Sequence, residues 1–256
     1  MHLIPLPALT DNYIWLIHDD AGHAVVVDPG EATVVEQALR ARKLQLTAIL
    51  LTHHHHDHIG GVAELLGSHP VPVYGPHDER ISETTTTVRD GDVVSLAQPL
   101  LKFEVLAIPD HTLSHIAYVG SELLLCGDTM FSLGCGRLFE GSPAQMLASL
   151  DRLAALPPEL MVCAAHEYTE ANGRFAQRID PHNSALQARV QDVATRRREQ
   201  LPSLPVSLAS ELATNPFLRV DSDAVTAWYH ANHHDADENR ITRFAALRGA
   251  KDVFRG

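Results

Sequence analysis

The chain has 256 residues, 45% of them hydrophobic, which is enough for one large core or for a main core and a smaller one. Asp and Glu outnumber Lys and Arg by 32 to 20, and the resulting formal charge of −12 disfavours a nucleic acid partner. The sequence lacks an apolar run near the roughly 18 residues of a membrane span, it lacks a basic leader, and its 3 cysteines are widely spaced, so we expect a cytoplasmic protein without membrane association.

Short apolar segments separated by turn residues predict a mixed α/β fold for the first part of the chain. The predicted strands are residues 13–18, 24–28, 46–51, 71–74, 92–96, 101–108, 116–119, 123–126 and 160–164. Helical periodicity predicts helices at residues 32–43, 61–66 and 144–156. Strands that are often consecutive, with helices between some of them, favour a pair of sheets flanked by helices.

From about residue 168 helical patterns replace the strands. We predict helices at residues 184–200, 223–231 and 238–247, with a break at residues 201–205 that contains two prolines. The sequence therefore predicts a larger domain at residues 1–167 and a smaller helical domain at residues 168–256.

Residues 52–58 (THHHHDH) follow a predicted strand and form the most informative stretch of the chain. His53, His55, Asp57 and His58 are hard to explain by packing, because buried imidazoles need hydrogen-bond partners and a buried carboxylate needs a cation. A bound transition metal satisfies all of these groups. His53 and His55 point the same way in an extended chain, whereas Asp57 and His58 follow the turn, so the loop suits two neighbouring metal sites. A solvated loop or an expression tag is the alternative, which the internal position and Asp57 disfavour.

Three further groups lie at the exits of predicted strands. These are His111, Asp128 and His166. A single loop histidine is usually only solvated, but together with the opening run these residues form a coherent set of five His and two Asp. His54 and His56 fall on the alternate face of the loop, and we expect them to be bystanders or supporting groups.

Several further motifs are similar to those of the metallo-β-lactamase superfamily and, within it, to those of the glyoxalase II (hydroxyacylglutathione hydrolase) family. They are residues 9–13 (LTDNY), 127–131 (GDTMF), 134–141 (GCGRLFEG), 166–169 (HEYT), 215–219 (NPFLR) and the closing pattern Arg248-x-x-Lys251-Asp252. The resemblance covers nearly the full length. It implies an α/β fold, the four-layer αββα sandwich with a smaller helical C-terminal domain, in which residues 1–167 are catalytic and residues 168–256 bind substrate.

The resemblance also implies two divalent metal ions per chain. The implied ligands are His53, His55 and His111 for one ion, Asp57, His58 and His166 for the other, and Asp128 as a bridge between them. We expect zinc, although this set of donors also accepts iron or manganese. Asp57 and Asp128 are the implied catalytic residues. Asp110, Ser114 and Ala165 stand where the family usually has glycine.

The implied reaction is hydrolysis of S-(2-hydroxyacyl)glutathione, above all S-D-lactoylglutathione, to glutathione and D-lactate in methylglyoxal detoxification. Two ions about 3.5–4 Å apart would lower the pKa of a shared water to about 7, and a thiolate leaves without protonation. The implied substrate contacts are Arg137, Phe139, Tyr168, Arg248 and Lys251, with Phe139 where many relatives have Tyr. We expect a monomer.

Two other classes of function stay open from the residues. One is a persulfide dioxygenase with a single iron on two His and one Asp, which would not need Asp57, His58 and His166. The other is a metal-binding protein without catalytic activity, which would lack an open coordination position. A nuclease of the same superfamily is disfavoured by the acidic charge.

Overall fold

The computed structural model describes residues 1–233 and 238–256. These residues divide into two compact units, the first comprising residues 1–107, 114–127 and 163–166, and the second residues 108–113, 128–162 and 167–256. Across the described ranges, the helices are too short or too polar to cross a bilayer. The division into domains at residues 167 and 168 stays a prediction.

The strands and helices follow one another in mixed order. The strands are β1 His2–Ala8, β2 Asn12–His18, β3 His23–Val27, β4 Gln45–Leu50, β5 Val73–Gly75, β6 Thr86–Thr87, β7 Val93–Ala97, β8 Leu100–Ala107, β9 Ile116–Val119, β10 Leu123–Gly127, β11 Met130–Phe131, β12 Gly134–Cys135, β13 Met161–Ala164 and β14 Val206–Ser207. The helices are α1 Ala32–Arg42, α2 His56–Ile59, α3 Val62–Ser68, α4 Pro143–Ala154, α5 Thr169–Ile179, α6 Ser184–Arg198, α7 Leu208–Thr214, α8 Asp223–Asn232 and α9 Arg240–Val253.

The strands form two six-stranded sheets and one short hairpin. The first sheet has the order β1-β2-β3-β4-β5-β6, antiparallel at β1–β2 and β2–β3 and parallel from β3 onward. The second has the order β14-β13-β10-β9-β8-β7, and β11 pairs with β12. The expected α/β fold with a pair of sheets is confirmed.

The core of the first unit lies between the first sheet and its helices. Val35 and Leu39 of α1 and Leu65 of α3 pack in one apolar cluster with Val26 of β3 and Ile49 of β4. Burying such side chains contributes roughly 1.5–3 kcal/mol each. Because β3 and β4 are parallel and both are buried, their ends meet at one edge of the sheet, where the ligand loop begins.

Some elements differ from the predicted ones. Strand β1 and helices α5 and α7 were not predicted, and α9 is Arg240–Val253 where residues 238–247 were expected. In α5 both Asn172 and Gly173 are buried: the Asn172 side chain donates to the Ser132 carbonyl (3.1 Å), and a Cβ on Gly173 would lie 3.0 Å from the Val190 side chain. Inward polar and small residues conceal the helical periodicity on which the sequence prediction rests.

Candidate metal centre

The loop after β4 is held at its start by Asp28, the residue that follows β3. The Asp28 carboxylate accepts hydrogen bonds from the Thr52 amide (2.8 Å) and hydroxyl (2.7 Å). Asp28 itself is buried and has a left-handed backbone conformation with φ of 52°. The Tyr118 hydroxyl donates to the Leu51 carbonyl (3.0 Å). The residue before the first ligand histidine is therefore fixed by buried hydrogen bonds.

Three of the predicted ligands of one metal ion converge in the first unit. One ligand atom from each of Asp57, His58 and His166 lies within 4.8 Å of the others. Asp57 Oδ2 is 3.5 Å from His58 Nε2 and 3.4 Å from His166 Nε2. Two ligand atoms bound about 2.0–2.2 Å from a tetrahedral metal are about 3.3–3.6 Å apart. The separations in the structure match this spacing.

His53 and His55 lie beside this group. His53 Nε2 is 3.1 Å from His55 Nδ1, and the rings of His53 and His58 have centroids 4.0 Å apart. The ring of His115 is stacked on that of His53, with the centroids 4.6 Å apart. Five of the seven predicted ligands thus gather in the first unit.

The other two predicted ligands are paired in the second unit. His111 Nε2 lies 3.4 Å from Asp128 Oδ2, and both side chains are buried. The neighbouring Asp110 carboxylate accepts hydrogen bonds from the Thr129 hydroxyl (3.0 Å) and the His111 amide. Burial raises the pKa of Asp110 to about 7, and these two hydrogen bonds oppose that rise. His111 and Asp128 present the same imidazole–carboxylate spacing that the first unit shows.

The second ring nitrogen of four histidines is engaged by another group. The contacts of Nδ1 are His58 with Asp28 (3.1 Å), His166 with Asp11 (2.7 Å), His53 with the Thr52 hydroxyl (3.0 Å) and His111 with the Arg137 carbonyl (2.9 Å). A hydrogen bond at Nδ1 directs the lone pair of Nε2 toward a ligand position, which is characteristic of metal-ligating histidine. Imidazole and carboxylate donors arranged in this way fit a divalent transition metal.

Three supporting residues of this centre were missed by the sequence reasoning. Asn12 donates to Asp57 Oδ2 (3.0 Å), and Asp11 and Asp28 hold the rings of His166 and His58. Asp28 is the last residue of the predicted strand at residues 24–28, so the attention to strand ends that indicated the candidate ligands could also have indicated Asp28. Asp11 and Asn12 lie within one of the family-like motifs, yet nothing in their spacing indicates a supporting role.

The remaining histidines of the loop differ from the ligands. His54 Nδ1 is 3.4 Å from Asp78, whose carboxylate also accepts hydrogen bonds from Arg80 and from Ser114 (2.6 Å). The hydrogen bond from Arg80 holds the pKa of Asp78 far below its usual range. His56 opens α2 and is exposed. His54 therefore contacts the carboxylate of Asp78, which is the kind of contact expected of a supporting group.

The aromatic residues predicted to contact substrate lie at the surface of the second unit. Phe139 is 62% exposed, and its ring meets that of His111 edge to face at 5.1 Å. Tyr168 is 36% exposed, and its ring meets that of Phe131 edge to face at 5.1 Å. An exposed aromatic side chain beside a predicted ligand offers apolar contact area to a bound molecule.

The basic residues form a cluster in the same unit. Lys251 is half-buried, and burial together with the charges of Arg248, Arg174 and Arg137 lowers its pKa to about 8. Arg137 is exposed, with Nε 3.7 Å from Asp252, whereas Arg248 is buried. Arg174 was not predicted, because one arginine of a surface helix carries no signal in a sequence. Cations that repel one another in this way favour an anionic ligand.

Comparison with known proteins identifies the family of the chain. The family model of the metallo-beta-lactamase superfamily matches residues 9–166, and that of the hydroxyacylglutathione hydrolase C-terminus matches residues 167–254. The chain is 51% identical to a hydroxyacylglutathione hydrolase of Cupriavidus metallidurans over 98% of both chains, and 50% identical to one of Xanthomonas campestris over 100% of both.

Solved structures agree with this assignment of the fold. The structure of ETHE1 from Myxococcus xanthus has a TM-score of 0.67 and 27% identity, covering 98% of this chain and 97% of the other. TTHA1623 in a di-iron-bound form has a TM-score of 0.54 and 29% identity, covering 65% of this chain and 92% of the other. The α/β fold of the superfamily is therefore present together with a C-terminal helical region.

Proposed function

Because this chain belongs to the hydroxyacylglutathione hydrolase (glyoxalase II) family of the metallo-β-lactamase superfamily, we propose that it hydrolyses the thioester of S-(2-hydroxyacyl)glutathiones. S-D-lactoylglutathione is the foremost substrate, and its products are glutathione and D-lactate, as in methylglyoxal detoxification. The observation that carries the proposal is the convergence of Asp57, His58 and His166 at ligand spacing, with the far nitrogens of both histidines held by carboxylates.

The proposed centre holds two divalent metal ions. The proposed ligands are His53, His55 and His111 for one, Asp57, His58 and His166 for the other, and Asp128 for both. When bound, such ions supply Lewis acidity and make a water acidic enough to act as a nucleophile near neutral pH. We propose zinc, and the di-iron form of TTHA1623 supports iron as the main alternative.

The chain's own residues prepare the reaction in three ways. Asn12 donates to Asp57 Oδ2, which fixes the carboxylate that we propose as acceptor of the attacking water's proton. Asp11 and Asp28 hold the rings of His166 and His58, so these two side chains do not reorganise during the reaction. The leaving thiolate needs no general acid, because a thiol has a low pKa compared with an alcohol or an amine.

The substrate site is proposed to lie at the cation cluster of the second unit. Glutathione carries two carboxylates, and Lys251, Arg137 and Arg174 supply fixed positive charge there. Phe139 and Tyr168 add aromatic surface, and Phe139 lacks the hydroxyl that a tyrosine would offer. The resemblance implies that Arg248 also contacts the substrate, and the structure places its side chain in a buried position.

Hydrolysis of S-D-lactoylglutathione, measured beside elemental analysis of the same preparation, tests the proposal. We expect thioester hydrolysis with two metal ions per chain. Asp128→Ala should lower both the metal content and kcat/KM, by more than the roughly 10–100-fold that follows loss of a group supporting a ligand. Asp19→Asn is the control, because Asp19 also pairs with a histidine (His23, 3.0 Å) but lies outside the predicted ligand set. A fully active preparation with a single bound ion would contradict the two-metal proposal.

Zinc as the bound metal, a monomeric state and a cytoplasmic location stay predictions. Elemental analysis of protein purified without added metal addresses the first of these. Sedimentation of the purified chain and fractionation of cells address the other two.

A further inference from the structure

We propose that Ser203 is a positioning residue for Tyr168, and that it fixes the backbone on both sides of that tyrosine through Glu167 and Thr169. The inference rests on the proposed function in taking Tyr168 as a contact for the substrate. Ser203 lies between α6 and β14, in the break that the sequence predicts at residues 201–205. A segment that the sequence presents only as a connection thereby gains a role in the substrate site.

Tyr168 begins helix α5 at a position that its own side chain does not stabilise. The residue is the N-cap of α5, and its side chain makes no cap hydrogen bond. Ser, Thr, Asp and Asn are preferred at this position, because their side-chain oxygen accepts from the amides of the first turn. A departure from such a local rule is expected at a functional site, and it requires that other residues hold the start of the helix.

Ser203 contacts both chain neighbours of Tyr168. Its amide donates to Glu167 Oε2 (2.8 Å), and its hydroxyl donates to Glu167 Oε1 (2.6 Å). The Thr169 hydroxyl lies 2.6 Å from the Ser203 hydroxyl, and it is the donor of that pair because the one proton of the Ser203 hydroxyl is directed at Glu167. Ser203 and Thr169 are both buried. Residues 167 and 169 are thus bound to one point, and the backbone of Tyr168 between them has little freedom.

A guanidinium of α6 connects Ser203 to the ring partner of Tyr168. Arg189 Nη2 donates to the Ser203 carbonyl (2.8 Å) and to the Ser132 hydroxyl (3.3 Å). Ser132 follows Phe131, whose ring meets that of Tyr168 edge to face. The Arg189 side chain is only 10% exposed, so these hydrogen bonds are shielded from water. One buried cation therefore holds the two segments that carry the aromatic pair.

The segment that carries Phe131 has further anchors. The buried Glu211 carboxylate accepts from the Ser132 hydroxyl and the Leu133 amide, both at 2.8 Å. Asn215 donates to the Phe131 carbonyl (3.2 Å). Buried hydrogen bonds of this kind rigidify the segments that they join. The aromatic pair is therefore ordered before a ligand arrives, and binding does not incur the entropy cost of ordering it.

The test compares Ser203→Ala with Thr214→Val. Each variant removes one hydroxyl of the second unit from a residue that is 2% exposed, and the Thr214 hydroxyl donates only within α7, to the Ser210 carbonyl (2.6 Å). We expect Ser203→Ala to raise KM for S-D-lactoylglutathione about 2–10-fold, because binding must then order the Tyr168 side chain. We expect kcat and metal content to stay at the wild-type level, since the contact contributes equally to the ground state and the transition state. Thr214→Val should keep the wild-type KM, even where both variants lower the melting temperature.

Two further measurements follow Tyr168 itself. The 5 tyrosines can be replaced by 3-fluorotyrosine, and Tyr168→Phe then assigns the fluorine resonance of Tyr168. We expect this resonance to shift or broaden in Ser203→Ala and to stay unchanged in Thr214→Val. Tyr168→Ala, measured in the wild type and in Ser203→Ala, completes a double-mutant cycle. Its effect on KM should be smaller in Ser203→Ala, because Ser203 acts through Tyr168.

Thr169→Val is the second variant. It keeps the shape of the side chain and removes only the hydroxyl that contacts Ser203, so we expect smaller changes in the same direction. If Ser203→Ala does not fold, as judged by circular dichroism, Thr169→Val decides the question. A wild-type Tyr168 resonance in the folded variant, or additive effects on KM, would overturn the inference. Loss of metal would also overturn it, because Ser203 would then act through His166. If the wild type does not cleave glutathione thioesters while the Tyr168 resonance still moves, the proposed function falls and the positioning role stands.

Discussion

The two units hold their predicted ligands in different ways. In the first unit, four ligands come from one short loop, and carboxylates such as Asp28 fix the histidines directly. In the second unit, His111 and Asp128 come from separate segments, and the Arg137 carbonyl that contacts His111 Nδ1 follows two carbonyls, of Cys135 and Gly136, that accept hydrogen bonds from Arg248, 113 positions after Cys135 in the chain. A local motif can therefore indicate candidate metal ligands, while the groups that orient them are distributed over the fold.

The largest effect is expected from Gly136→Ala, which disturbs the backbone segment beside His111 in the second unit. The added Cβ would lie 2.0 Å from the carbonyl oxygen of Asp128, so the backbone must move, and both His111 and Asp128 adjoin it. We expect metal affinity to fall by about 10–100-fold or more, and we expect kcat/KM to fall as well. Chelator competition and steady-state kinetics measure the two quantities. Unchanged metal binding in this variant would mean that the segment does not position the ligands.

The direct support of the first unit is tested by Asp28→Asn. An amide keeps the shape of the side chain but loses the negative charge that faces His58 Nδ1 at 3.1 Å. We expect the affinity for the ion that His58 binds to fall roughly 10–100-fold, and we expect the affinity for the other ion to fall less. Metal titration with a chromophoric chelator resolves the two ions. Asp28 also accepts from the Thr52 hydroxyl, which contacts His53 Nδ1 (3.0 Å), so equal weakening of both ions would show that Asp28 supports His53 as strongly as it supports His58.

A smaller, pH-dependent effect is expected at Lys251. Its pKa in the free protein is about 8, lowered by burial and by Arg248, Arg174 and Arg137. A bound carboxylate favours the protonated form, so Lys251 contributes fully to binding well below pH 8, and this contribution weakens as the pH rises through that value. One pH unit above the pKa about one-tenth of Lys251 stays charged, so KM should rise by up to about tenfold while kcat changes little. Lys251→Arg should abolish the rise, and a pH-independent wild-type KM would show that Lys251 does not bind the substrate.

The smallest effect is expected from Gly249→Ala, the counterpart of Gly136→Ala in the same unit. A Cβ on Gly249 would meet no atom within 4 Å among the described residues, and the residue lies inside α9. Alanine favours a helix over glycine by about 0.8–1 kcal/mol, so the melting temperature should rise by about 2–4 °C. Thermal denaturation measures the shift, and activity should not change. A destabilised variant would mean that the end of α9 is packed more closely than the structure shows.

The sequence indicates candidate ligands more readily than it indicates their environment. The candidates at residues 52–58 can be recognised because they lie close together and because so dense a group of imidazoles and carboxylates is hard to account for by packing. His111, Asp128 and His166 were predicted as ligands because each follows a predicted strand. Asn12, Arg174 and the internal contacts of Arg248 were not found, because their partners lie far away in the sequence and no periodic pattern links them.

The same limit applies to the fold. Strands in the first part of the chain are bounded by turn residues, and most of them lie where they were predicted. Helix α5 was not predicted, since its buried face contains Asn172 and Gly173 rather than a continuous apolar stripe. Such polar and small residues are placed by tertiary contacts, which a propensity argument does not include.

The cation cluster around Lys251 has the opposite sign to the net charge of the chain. A formal charge of −12 repels an anionic thioester at long range, whereas Lys251, Arg137 and Arg174 place positive charge close together. At physiological ionic strength each field decays over about 8 Å. The cation cluster therefore attracts an anion only over the last nanometre of its approach, and the net charge of the chain does not assist the approach from farther away.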